Sequence, residues 1–242
     1  MTMVPKQGPV VAIDGPAGTG KSSATKQLCA KLGFTHVDTG ALYRSIALLL
    51  RESSGLQGGA PEVLSDELQA RAVEIARTAH LEFRRDVTKN PPNRVWANGH
   101  DVTDEIRSPD VSMWSSRVSA VPGVRSAQLS LQRRLGCVGR AVLEGRDIGT
   151  VVFPDADIKF FLTATPDERA RRRLAELQAS GKSAPTFEEL RAQIVERDSA
   201  DAGRAVAPMR RAEDAIEIDT SSMTLDQVVA RMEQLARAKL GL

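Results

Sequence analysis

Apolar positions along this chain alternate between two textures. Short continuous runs rich in β-branched residues, PVVAID (9–14), FTHVD (34–38), RAVLEGRD (140–147), IKFFL (158–162) and AIEID (215–219), have the length of buried strands. Between them lie stretches of helical character. SATKQLCAKLG closes on Gly33, ALYRSIALLLRES covers 41–53, and Val63, Leu64, Leu68, Ala72, Ile75 and Ala76 share one helical face within 62–79. Further helices are expected over 109–120, from the break at Pro122-Gly123 to about 135, and over 166–180 up to Gly181. Thr186-Phe187-Glu188-Glu189 and Thr224-Leu225-Asp226-Gln227 read as capping boxes, opening one helix towards Arg197 and a last one reaching Leu240. Five strands alternating with helices predict an α/β fold with a doubly wound, five-stranded parallel sheet.

One region breaks this rhythm. LEFRR (81–85) alternates, and VWANGHDV (95–102) is centred on Asn98-Gly99, so an antiparallel meander is expected there. TKNPPN (88–93) and GLQGGAP (55–61) read as loops. The patch has the look of an insertion beside an α/β core.

Composition narrows the picture a little. At 242 residues, 41% hydrophobic and 26% charged, the chain suits one large globular domain or a core with insertions. A net charge of +2 is too small to argue for a nucleic-acid or membrane surface, and 4% aromatic residues leave little for base-stacking platforms. Cys29 and Cys137 have neither metal-ligand spacing nor a disulfide pattern, and Cys29 is expected as a packed core thiol. MTMVPKQG holds no signal-peptide apolar segment, and no run approaches the ~20 residues of a membrane span. The expected compartment is the cytoplasm. With no coiled-coil repeat or apolar patch evident, the expected state is a monomer.

Residues 15–22, GPAGTGKS, carry the chemistry, because they fill the phosphate-loop pattern G-x-x-x-x-G-K-[ST] between an expected strand and an expected helix. A chance glycine turn would lack those flanks. Backbone N–H groups of such a loop cradle phosphate oxygens, and the helix N-terminus adds its positive dipole end. The expected ATP-binding run is Gly15, Pro16, Ala17, Gly18, Thr19, Gly20, Lys21, Ser22 and Ser23. Lys21 is expected to reach the β- and γ-phosphates, and the Ser22 hydroxyl to ligate Mg²⁺.

Ligands of open parallel sheets collect at the C-terminal strand ends. Three such ends are polar: Asp14, Asp38-Thr39-Gly40 and Glu144-Gly145-Arg146-Asp147. Each alone would serve equally as a helix cap. In ERDSADAGRAVAP (196–208), Arg197, Asp201 and Arg204 are spaced by four and three, which places them on one face of a helix that Pro208 ends. The alternative is an exposed ion-pair ladder. Phosphoryl transfer needs positioning and cations around the transferred group, and Arg44, Arg125, Arg146, Arg197 and Arg204 are candidates. The run Arg169, Arg171, Arg172, Arg173 is either a mobile clamp over ATP or a solvated face.

IDGPAGTGKSS (13–23), DTGALYR (38–44), NGHDVTDEIR (98–107), EGRDIGTVVFPDA (144–156) and ERDSADAGRAVAP together make the chain closely resemble the bacterial cytidylate kinase family. The resemblance runs from about Val10 to Leu240. It implies a kinase core over 9–61 and 117–242, a nucleoside-monophosphate-binding insertion over 62–116 and a lid over 169–186 with Arg169, Arg172 and Arg173 as candidates. It puts the positions of Thr39, Arg125, Asp147 and Arg204 near the cytosine ring, Arg197 and Asp201 near the ribose, and Arg44 and Arg146 at the acceptor phosphate. Lys21, Arg146 and Arg44 become the catalytic candidates. Glu144 stands where the family often carries Asp.

The implied reaction is ATP + (d)CMP → ADP + (d)CDP, with Mg²⁺. A carboxylate at 147 would accept from cytosine N4 and face the O4 lone pairs of uracil unfavourably. Asp201 could meet either ribose or, through the 3′-hydroxyl, a 2′-deoxy sugar. The alternatives within kinases are UMP, dTMP or shikimate as acceptor. Outside them stand a nucleotide-dependent switch, for which the Asn-Lys-x-Asp guanine-reading motif is missing, and a nucleic-acid-binding ATPase.

Overall fold

The strand runs pair because their apolar residues can be hidden on both faces only by helices lying above and below one sheet. A computed structural model describes residues 5–56, 59–89, 91–179 and 185–242. In chain order the elements are β1 (Val10–Asp14), α1 (Lys21–Leu32), β2 (Thr35–Asp38), α2 (Thr39–Ser54), α3 (Asp66–Thr78), β3 (Leu81–Arg85), β4 (Asn93–Ala97), β5 (His100–Asp101), α4 (Pro109–Val118), α5 (Pro122–Cys137), β6 (Ala141–Glu144), β7 (Ile158–Thr163), α6 (Pro166–Ala179), α7 (Phe187–Ala202), β8 (Ile216–Asp219) and α8 (Leu225–Leu240). The chain divides into two compact units, residues 1–38 with 133–242, and residues 39–132.

The first unit is built on the parallel sheet, in the order β2-β6-β1-β7-β8. The central strand β1 is buried along its whole length. Val11, Ile13, Leu28, Phe160, Leu162, Val229 and Met232 form the core between sheet and the helices α1 and α8. Each such side chain contributes about 1.5–3 kcal/mol on burial. Cys29 lies in this core, where burial pushes its thiol up to about 12. A smaller cluster, Ala170, Leu177 and Leu190, joins α6 to α7. In register, Ile13 lies beside Glu144 and Asp14 beside Phe161, so the ends of β1 and β6 bring two carboxylates to one edge of the sheet.

The second unit packs α2 against α3 and α4, and carries the antiparallel sheet β3-β4-β5. Asn98 and Gly99, both at positive φ (49° and 83°), make the two-residue turn between β4 and β5. Arg94 bonds Asp101 and Asp104, and Arg84 stacks over Trp96 at 3.9 Å. This unit takes in more of the chain than the 62–116 insertion implied by the resemblance, because α2 finds its packing partners there.

Several boundaries differ from the sequence expectations. α2 begins at Thr39, which is therefore the first residue of a helix. α3 begins at Asp66 behind the Ser65 cap, leaving Val63 outside it and 76% exposed. Pro122 opens α5, where its missing N–H costs nothing, and Asn93 belongs to β4. α7 ends at Ala202, so Pro208 is not its stop and Arg204 lies beyond it. Residues 180–184 of the expected lid, with the Gly181 stop, lie outside the described residues, as do 57, 58 and 90 of the two expected loops. Among the described residues no helix is long and apolar enough to cross a membrane.

Both capping boxes form, Thr186 with Glu189 and Thr224 with Gln227. Because α8 supplies Val228, Val229, Met232 and Ala236 to the core, its cap bears on the whole unit. Thr224→Ala is expected to cost about 1 kcal/mol and to lower the melting temperature by about 2–4 °C. An unchanged melting temperature would show that the cap contributes nothing.

Candidate active site

The phosphate loop follows β1 and is held from outside by its own unit. Gly15 has φ 138°, and a Cβ there would lie 2.1 Å from the Leu162 carbonyl oxygen, so only glycine fits. Thr19 Oγ1 donates to Pro16 O (3.1 Å), Thr220 Oγ1 to Thr19 O (3.1 Å), and Arg169 Nη1 to Ala17 O (3.1 Å). Gly20 occupies the N-cap of α1 in the left-handed region, with no side-chain cap bond and no acidic residue in the first turn. The helix N-terminus is thereby kept for an external anion. Lys21 is buried, with Nζ donating to Pro16 O at 2.5 Å. Burial, then the Arg146 charge, hold its pKa well below the usual lysine range, with Glu144 and Asp14 opposing and Arg197 adding to the depression.

Two buried carboxylates stand at the adjoining strand ends. Asp14 accepts from Ile148 N (2.8 Å) and Gly149 N (2.7 Å), capping a π-helical turn at Ile148–Val152. Burial raises its pKa from 3.8 to about 6 against those two bonds, and the Asp147 charge adds to the rise. Glu144 accepts from Ser22 Oγ at 2.7 Å, and its other oxygen lies 2.7 Å from His36 Nε2. The Ser22 hydrogen is thus turned towards Glu144. Asp147, 5% exposed, precedes the π-helical turn, and its carbonyl accepts from Val151 N and Val152 N.

A buried ion cluster completes this unit. Arg146 Nε donates to Asp201 Oδ2 at 3.0 Å, and Arg204 Nη2 donates to Asp201 Oδ1. Burial pushes the Asp201 carboxyl upwards, but Arg146, Arg204 and Arg197 outweigh it and leave the pKa below the ordinary value. The expectation that Arg197, Asp201 and Arg204 share a helical face is corrected here. Arg204 reaches Asp201 from the segment after α7, which folds back through a bond from Met209 N to Asp201 O (2.8 Å) and a positive φ of 52° at Ala207.

The arginine run of α6 divides. Arg169 is 3% exposed and donates to Ala164 O, Ala17 O and both oxygens of Asp198. Arg172 donates to Thr220 O (2.6 Å), Thr220 Oγ1 and Glu168. Arg171 and Arg173 make surface pairs with Glu168 and Glu176. Arg169 and Arg172 are therefore hydrogen-bonded within the unit.

The remaining candidates belong to the second unit. Thr39 is buried at the start of α2, with Arg44 five residues later on the same helix. Arg125 is buried on α5. It donates to Ser119 O (3.2 Å) and lies over the Tyr43 ring at 5.3 Å, while Tyr43 Oη accepts from Gln132 Nε2 (3.1 Å). His36 and Tyr43 were not singled out from sequence. Tyr43 lies inside the DTGALYR motif, whereas His36 gains meaning only from the pairing of Asp38 with Glu144, which puts it on the face that Glu144 occupies.

A phosphate loop after the central strand of a five-stranded parallel sheet, with half-buried arginines acting on its lysine, defines a P-loop kinase. The chain belongs to the cytidylate kinase family, whose model matches residues 11–238. The cytidylate kinase of Geobacter sp. (strain M21) is 46% identical over 241 residues, covering 100% of this chain and 98% of that protein. That of Geobacter sulfurreducens is 44% identical over 239 residues, covering 99% and 97%. A bifunctional pantoate ligase/cytidylate kinase of Synechococcus sp. (strain JA-2-3B'a(2-13)) is 46% identical over 239 residues, 42% of that longer protein.

Asp14 offers a direct check of the site's electrostatics. Its folded-state pKa lies above the unfolded value of 3.8, so its contribution to stability is present at low pH and is lost as pH rises through about 6. A ¹³C titration of the ligand-free protein is expected to show an Asp14 carboxyl midpoint near 6. A midpoint near 3.8 would mean that the two backbone N–H bonds fully offset burial.

Proposed function

We propose that this protein transfers the γ-phosphoryl group of ATP to CMP and dCMP, giving CDP and dCDP. The observation that carries the reading is the buried Arg146–Asp201–Arg204 cluster beside the loop lysine, 2% exposed at Asp201. Arg146, Arg204 and Arg197 all act on Asp201, and Arg146 and Arg197 act on Lys21 as well, so cations are gathered where a phosphoryl group would bind.

The residues take roles that follow from their chemistry. Loop N–H groups and Lys21 hold the donor phosphates, and Arg146 grips the group in transfer, where charge spreads over its equatorial oxygens. Asp201 keeps unused lone pairs beyond those given to Arg146 and Arg204, enough to accept from ribose hydroxyls, with Arg197 beside it. Because a 3′-hydroxyl suffices, a 2′-deoxy sugar is also accepted. Asp147 accepts from cytosine N4, and Arg204 donates to the ring acceptors. Thr39, Arg44 and Arg125 are proposed substrate contacts on the strength of the family motif. Arg169, Arg172 and Arg173 of α6 are the candidates for a lid contact with ATP, Arg173 being the one of the three paired at the surface.

The donor set suits Mg²⁺. Ser22 Oγ and the Glu144 carboxylate are hard oxygens 2.7 Å apart at the loop's end, and the hydroxyl hydrogen is already committed to Glu144. Among the described residues no trio of His, Cys, Asp or Glu is disposed to hold a metal, so Ser22 would share the ion with phosphate oxygens and water. When bound, the ion neutralises charge on the β- and γ-phosphates.

The test is ADP release with Mg·ATP against CMP, dCMP, UMP, AMP, GMP, dTMP and shikimate. Turnover is expected on CMP and dCMP, and strong turnover confined to another acceptor would overturn the reading. Asp147→Asn is expected to erode the CMP/UMP ratio of kcat/KM by at least about tenfold, since an amide can turn its donor towards O4. A ratio that does not move would place base selection elsewhere.

A further inference from the structure

We propose that His36 is a positioning residue for the Ser22 hydroxyl, acting through Glu144. The inference rests on the phosphoryl-transfer reading and assigns a role to a residue outside the phosphate loop.

The Glu144 side chain is 5% exposed and that of His36 6%. A carboxylate removed from water needs a donor on each oxygen to hold its orientation. Here each oxygen has one: Ser22 Oγ donates to Oε2 and His36 Nε2 to Oε1, both at 2.7 Å. A carboxylate oxygen only accepts, so the ring hydrogen sits on Nε2. The bond to Ser22 turns the hydroxyl hydrogen towards Glu144 and leaves the oxygen lone pairs for a cation.

Glu144 has three rotatable bonds, and the two bonds fix the carboxylate from its two oxygens. Without the imidazole, Oε1 loses the donor that β2 supplies, and the carboxylate is freer to turn away from Ser22 and release its hydrogen. The edge strand β2 thus supplies the group that keeps Glu144 on Ser22.

The test compares the full-length protein with His36→Leu, His36→Gln and His36→Asn. Calorimetry reads binding of a non-hydrolysable ATP analogue in chelator and across a Mg²⁺ titration, and steady-state assays read kcat and the KM for CMP. In His36→Leu the Mg²⁺ half-saturation is expected to rise on the order of tenfold and kcat to fall, with affinity in chelator and the KM for CMP unchanged. The Gln amide reaches where Nε2 stands and is expected to keep the wild-type Mg²⁺ response. Asn falls short and is expected to behave as Leu, so the Gln/Asn pair carries the test even if His36→Leu does not fold.

A folded His36→Leu with the wild-type Mg²⁺ response, or His36→Gln as impaired as His36→Asn, would overturn the proposal. Wild-type protein inactive on every acceptor would instead overturn the kinase reading, while the calorimetry still reports on His36.

Discussion

The central strand β1 has no face open to water, and the first unit is arranged around that constraint. A buried parallel strand needs neighbours on both sides and helices above and below, which β6, β7, α1 and α8 supply. In β1 and β6 polar side chains are then admitted only where the strands stop. Asp14 and Glu144 take those places, and the phosphate loop begins at the same edge because β1 has to turn there. The chemistry is gathered by exclusion from the interior as much as by attraction.

Such a gathering concentrates charge where water is scarce. Lys21, Asp14, Glu144 and Asp201 are all largely buried, and each is held by specific partners: loop carbonyls, the π-helical turn, Ser22 with His36, and two arginines. Charges so placed add little net stability, but each is fixed in direction. For a phosphoryl-transfer site fixed direction is the useful property, since nothing has to reorganise as negative charge moves across the transferred group.

What the sequence disclosed follows the range of the interactions. The phosphate loop, the two capping boxes and the Asn98-Gly99 turn depend on residues within a few positions of one another, and all formed as read. So did the five-stranded parallel sheet, which declares itself through strand texture. The partners of Glu144 did not show, because Ser22 and His36 lie 122 and 108 residues away and meet it only once β2 is in register with β6. Four arginines crowded into one helical turn carry no mark of which will turn inward, and Arg169 does so because Ala17 O and Asp198 wait for it. The route of Arg204 depends on a positive φ at Ala207, a residue type that gives no hint of one.

Gly15 shows how indispensability and chemistry can part company. It offers no functional group, yet its backbone meets the Leu162 carbonyl so closely that a single methyl group cannot be inserted. A saturation screen would score position 15 as harshly as the loop lysine, and the two scores would look alike. One would record a lost charge and the other a lost clearance. Separating them takes a probe of folding beside the probe of activity, because a tally of dead variants outlines the crowded ground around a site together with the site itself.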